Sequence, residues 1–195
     1  MKKTEIETLY QAIINKEFLK KYDRKFGTAI LDKLFILEQL KKFSWSTFCC
    51  HLFSFYPHRD LPDEDLLISL DLFGIATRIL DDLIDDDNPL IHEIGPKLSL
   101  LLCVDLLTHS LSNLSNNYAS PEASSALQQT LEGEFYDLTL TLNEDISEKD
   151  YFDSIIKKST DFFLFVLSCL PLSEREKEFW HPLLKKNRNC CSNKK

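Results

Sequence analysis

PDEDLLISLDLFGIATRILDDLIDDDN, residues 62–88, is the stretch whose reading decides the fold. Apolar residues recur along it at helical spacing. Pro62 followed by Asp63, Glu64 and Asp65 suits a first turn, where acidic side chains meet the positive end of the helix dipole. Asn88-Pro89 breaks the pattern. The spacing therefore predicts one helix running to about Asp87 and ending in an acidic cluster, Asp81-Asp82-x-x-Asp85.

Working outward, the same periodicity predicts helices over Thr4–Tyr22, Thr28–Lys42 and Ser44–Tyr56, with Pro57–Pro62 a loop. Downstream, a helix starts at His92 or Pro96 and runs to Leu114, and Asn116–Pro121 reads as a polar loop. Glu122–Leu142 is the next helix and contains Gly133. Ser147 is placed to cap a helix that continues to Cys169, with Asp150 at its third position, and Pro171 ends it. Ser173–Lys186 reads as a last helix before a basic, polar tail. The fold class is all-α, a helical bundle forming one domain over 1–172, with the short helix and tail over 173–195.

Composition agrees with helices. Only 4 glycines occur in 195 residues, too few for many tight strand turns, while 14 phenylalanines supply bulky apolar walls. A net charge of −8 argues against a nucleic-acid partner, because phosphate backbones are held by Lys and Arg. The start, Met-Lys-Lys-Thr-Glu-Ile-Glu, lacks the apolar core of a secretory signal. The longest apolar run, Phe162–Leu170, is too short to span a bilayer, so no transmembrane segment is expected. None of the 6 cysteines has zinc-ligand spacing, and a reduced, cytoplasmic protein is the expectation.

The aspartate cluster is where the sequence suggests chemistry. Residues of a helix turn by about 100° each, so Asp81, Asp82 and Asp85 share one face within a turn. Two carboxylates ~6 Å apart repel by roughly 3 kcal/mol at an effective dielectric near 20. The negative end of the dipole disfavours them further. A divalent cation would reverse both penalties, and Mg²⁺ suits one or two carboxylates completed by waters and substrate phosphates. Two plainer readings stand beside this one. An acidic helix end can be solvated surface, and Arg78, one turn earlier on the same face, can pair with Asp81 or Asp82 instead of a metal.

The segment Ile79-Leu80-Asp81-Asp82-Leu83-Ile84-Asp85 resembles the first aspartate-rich motif of the trans-polyprenyl diphosphate synthases. Three further features follow in that family's order. They are Gly95 with Asp105-Leu106-Leu107, then Gly133-Glu134-Phe135-Tyr136-Asp137-Leu138 where the family has Gly-Gln-x-x-Asp-Leu, then Tyr151 seven residues before Lys158-Ser159. The resemblance covers roughly residues 44–170 and implies an isoprenoid-synthase-like bundle. It implies that Asp81, Asp82 and Asp85 hold Mg²⁺. It also implies that Lys158 contacts an allylic prenyl diphosphate and that Asp137 and Glu134 line the same cavity.

The departures shape the functional expectation. The Gly-Lys-x-x-Arg-Pro element of chain-elongating synthases has no counterpart in Lys42–Tyr56, and Asp86-Asp87-Asn88-Pro89 stands where they carry an Arg pair. The chain looks more like the competence-pheromone isoprenyl transferases, which prenylate a peptide. After Pro171 there is no aspartate, so the family's second aspartate-rich motif is missing and the bundle is expected to be incomplete at its C-terminus. The leading expectation is an Mg²⁺-dependent prenyltransferase-type protein acting on prenyl diphosphate, with a peptide acceptor and homo-oligomer formation left open. The alternatives are an inactive remnant or a helical binding module, and a terpene cyclase.

Overall fold

A computed structural model describes residues 8, 11–13, 15–17, 19–22, 44–85, 95–141 and 147–180. The helix expected over Thr28–Lys42, the residues Asp86–Pro89 and the tail after 180 lie outside the described residues. Among the described residues there is no strand, and the all-α reading holds. Five helices follow one another: α1 (Trp45–Phe53), α2 (Glu64–Asp85), α3 (Pro96–Asn117), α4 (Pro121–Thr141) and α5 (Glu148–Cys169). The chain divides into two compact units, Met1–Leu114 and Ser115–Lys195.

In the first unit, helix starts are set by side chains that take backbone N–H groups. The Ser44 hydroxyl accepts from the Thr47 N–H at 3.0 Å and caps α1. Asp63 caps α2, its carboxylate accepting from the Leu66 N–H at 2.7 Å. Pro62 therefore lies just outside the helix instead of opening it, because Asp63 supplies the acceptor that the first turn needs. α3 begins at Pro96, where the missing proline N–H would have had no intrahelical partner. Gly95 precedes it at φ +84°, in the left-handed region that side-chain-bearing residues rarely adopt. α3 continues through Asn116 and Asn117, which the sequence reads as loop.

The core of this unit gathers on α2. Ile68, Leu72, Ile75, Ala76 and Ile79 of α2 cluster with Leu102, Cys103 and Leu106 of α3 and with Ile13, Leu19 and Tyr22. Polar ties reinforce the α2–α3 contact. The Cys103 thiol donates to the Ala76 carbonyl at 3.3 Å, and the Asn113 amide donates to the Ser69 hydroxyl at 2.7 Å. α1 crosses α2 at Gly74, where a Cβ would lie 2.6 Å from Cδ1 of the Trp45 indole. By length and composition α3 could cross a membrane, a test that buried core helices also pass. Here Leu102, Cys103, Leu106 and Leu114 are buried, while Leu100, Leu101 and Val104 are exposed.

In the second unit, α4 and α5 pack against each other. The Ser120 N–H, just before α4, donates to the Ser168 carbonyl near the end of α5 at 3.3 Å. Ser147 caps α5, accepting from the Asp150 N–H at 3.1 Å, as the spacing predicts. Leu170 leaves the helix in extended backbone, with Pro171 next to it. Residues 174–180 are helical, and the Ser173 N–H and hydroxyl donate to Glu176 at 2.7 and 2.6 Å.

Candidate functional site

The last turn of α2 places the three aspartates in unlike surroundings. Asp82 is buried, with a side chain only 5% exposed, Asp81 is half-buried and Asp85 is exposed. Arg78, one turn earlier, reaches across both neighbours. Its guanidinium lies 3.0 Å from Asp82 Oδ1 and 3.5 Å from Asp81 Oδ2. A carboxylate as enclosed as Asp82 is costly without a counter-charge, and Arg78 provides one inside the same helix. Three carboxylates against one guanidinium still leave the turn negative.

That arrangement decides how a cation could be held. Among the described residues, no group of three or more His, Cys, Asp or Glu side chains is gathered to hold a metal ion. Arg78 engages Asp82 closely and Asp81 at the longer 3.5 Å, and Asp81 and Asp85 stand one turn apart on the more accessible side. Two carboxylate oxygens fit the modest protein share of an Mg²⁺ shell, whose remaining positions are water and phosphate oxygens. The donor chemistry fits the ion with two aspartates instead of three.

The other residues singled out by sequence lie in the second unit. Glu134 and Asp137 sit three apart on α4, both half-buried, next to the buried Gly133. Lys158 lies within α5. A cavity of about 570 Å³ in this unit is lined in part by Gln129, Asp161, Leu164 and Lys177, and neither Glu134 nor Asp137 lines it.

Asp105 is satisfied within the fold. Its carboxylate lies 2.5 Å from Lys21 Nζ and accepts a hydrogen bond from the Tyr22 hydroxyl. Partial burial pushes Asp105 up, but the bonds from Lys21 and Tyr22 outweigh it and hold the carboxyl below its usual range. Burial, then Asp105, pushes the Tyr22 phenol up. This network joins α3 to the N-terminal residues and gives Asp105 a structural role.

One buried acid escaped the sequence reading. Asp71 of α2 is 2% exposed and accepts from the N–H groups of Trp45 at 2.7 Å and Ser46 at 3.2 Å, and from the Ser46 hydroxyl. It caps α1 from a neighbouring helix. The signal lay in the helical wheel, because Asp71 shares its face of α2 with Leu67, Ile68, Gly74 and Ile75, three and four residues away. An acid there needs a partner from elsewhere in the chain. The chain matches no protein-family model, no curated protein and no solved structure.

Proposed function

We propose that the chain binds an allylic prenyl diphosphate with Mg²⁺, in the manner of the trans-polyprenyl diphosphate synthases that its motifs resemble. The observation that carries this reading is the last turn of α2, with Asp81, Asp82 and Asp85 on one face at the negative end of a helix dipole. Neither local repulsion nor the dipole rewards that placement, whereas a cation bridged to a diphosphate would. Asp81 and Asp85 hold the ion, and Asp82 keeps Arg78 turned toward the cluster. Mg²⁺, when bound, supplies charge that stabilises a diphosphate leaving group. Lys158, Asp137 and Glu134 are the substrate-contacting residues on this reading, which leaves the acceptor open, a peptide being one that it allows.

The test is binding of farnesyl diphosphate with and without Mg²⁺, followed by calorimetry. The parent is expected to bind the pair more tightly than either component alone, and Asp81→Ala/Asp85→Ala to abolish that enhancement. A double variant that binds the pair like the parent would remove the site assignment.

A second reading is supported by the Arg78 ion pairs. With Asp81 and Asp82 already partnered, the chain serves as a non-catalytic helical binding module. The two readings separate on Mg²⁺, which the second does not require.

A further inference from the structure

Helix α4 turns much of its bulky apolar surface outward. The residues it fully buries are small, Ala123 and Gly133, Leu127 and Leu140 are half-buried, and Leu131, Phe135, Tyr136 and Leu138 are exposed. Leu131, Phe135 and Leu138, at i, i+4 and i+7, are 55%, 64% and 37% exposed and form one stripe along the helix. With Gln128, Glu132 and Tyr136, the first two of them line a shallow groove of about 510 Å³. A contiguous apolar stripe on a surface helix marks an interaction surface more often than an accident.

Charge selects the partner. Glu132 and Glu134 flank the stripe on opposite sides, and the 21 residues of α4 include four acids and no Lys, Arg or His. A nucleic acid or an anionic membrane would be repelled. A second copy would set Glu132 and Glu134 against their own counterparts, in a chain whose net charge is already −8. An amphipathic helix with Lys or Arg beside its apolar stripe would match both the stripe and its flanks.

We infer that the outward face of α4 docks a basic amphipathic helix of a partner protein, Leu131, Phe135 and Leu138 taking its apolar stripe and Glu132 and Glu134 its cationic flanks. The surface shares Glu134 with the proposed substrate contacts but uses no residue of the metal assignment on α2, and docking there needs neither Mg²⁺ nor diphosphate.

The probe is a fluorescein-labelled Leu/Lys amphipathic helix of about five turns, titrated with the full chain and followed by anisotropy. A Leu/Glu helix of the same pattern is the control. The parent is expected to bind the Leu/Lys helix and to bind the Leu/Glu helix about tenfold more weakly or less. Leu131→Ser/Phe135→Ser should weaken Leu/Lys binding about tenfold or more, as for loss of an aromatic anchor. Glu132→Lys should weaken it and flatten its salt dependence. These positions are exposed, so the variants should keep the parent's helical circular dichroism. No binding by the parent, equal affinity for the two helices, or a double variant that binds like the parent would overturn the proposal. So would a parent dimer in sedimentation equilibrium that Phe135→Ser dissociates, since that would give the face to a second copy.

Discussion

The Asp71 carboxylate shows how much one residue can hold. Burial pushes it up to about 6 from its ordinary 3.8, even though the bonds from Ser46 and Trp45 pull the other way. A carboxyl raised on folding means that the native state binds the proton more tightly than the unfolded chain does. This group's contribution to stability therefore rises as pH falls from 7 through 6 and levels off below about 4, a gain on the order of 3 kcal/mol. Urea titrations between pH 4 and 7 should show that rise in the parent. In Asp71→Asn, which cannot ionise, the difference from the parent should vary with pH in the opposite sense, and parallel curves would remove Asp71 as the source. Gly74 offers a second test. In an open helix Gly→Ala stabilises by about 1 kcal/mol, but here the new methyl would meet the Trp45 indole at 2.6 and 2.7 Å. Overpacking of about 1–3 kcal/mol should win, so Gly74→Ala is expected to melt below the parent and to alter Trp45 fluorescence.

At the scale of elements, α2 joins an apolar middle to an acidic end. Its middle supplies the core of the first unit, and its last turn carries the three carboxylates. Removing Arg78 separates the two readings of that turn. Arg78→Ala leaves the enclosed Asp82 without its guanidinium, a loss of about 1–3 kcal/mol once the exposure of Arg78 is allowed for. If the aspartates also hold Mg²⁺, millimolar Mg²⁺ should restore much of the lost melting temperature. A variant whose melting is unmoved by Mg²⁺ would assign the turn to the ion pairs alone. Much of this level was legible beforehand. The Ser147-x-x-Asp150 cap and the Pro171 stop follow from local chemistry, and the structure has them; of the two starts open for α3, His92 or Pro96, it has Pro96. The length of α3 was misread, because Asn116 and Asn117 favour turns in isolation and continue the helix here.

At the scale of the whole molecule, the one prediction concerns turnover. The 195 residues carry a single aspartate cluster of this kind, and none of the residues from 162 onward is an aspartate. A diphosphate leaving group held from one side lacks stabilisation that a facing cluster would add, and each ~1.4 kcal/mol lost in the transition state is a factor of ten in rate. Loss of one positioned electrostatic group commonly costs a hundredfold or more. Purified chain with Mg²⁺ and geranyl or farnesyl diphosphate is therefore expected to release diphosphate very slowly or not at all. Rapid release that Asp82→Ala abolishes would show that another part of the chain, or a second subunit, completes the site.

What the sequence determined by itself is the part governed by neighbours along the chain. Helical periodicity, N-cap side chains, the dipole preference of Asp63 to Asp65 and the prolines place the helices, since each depends on groups within a turn or two. The same local geometry puts Asp81, Asp82 and Asp85 on one face and Arg78 within reach of them. Tertiary structure alone decided which of those carboxylates is enclosed, that Asp71 caps a helix 25 residues away, and that Gly74 must admit Trp45. It alone decided that Asp105 is occupied by Lys21 and Tyr22, and that the bulky face of α4 is left outward. Those outcomes depend on which distant surfaces meet and lose water, and spacing can place an acid such as Asp71 on an apolar face but does not fix which partner the packed chain brings to it.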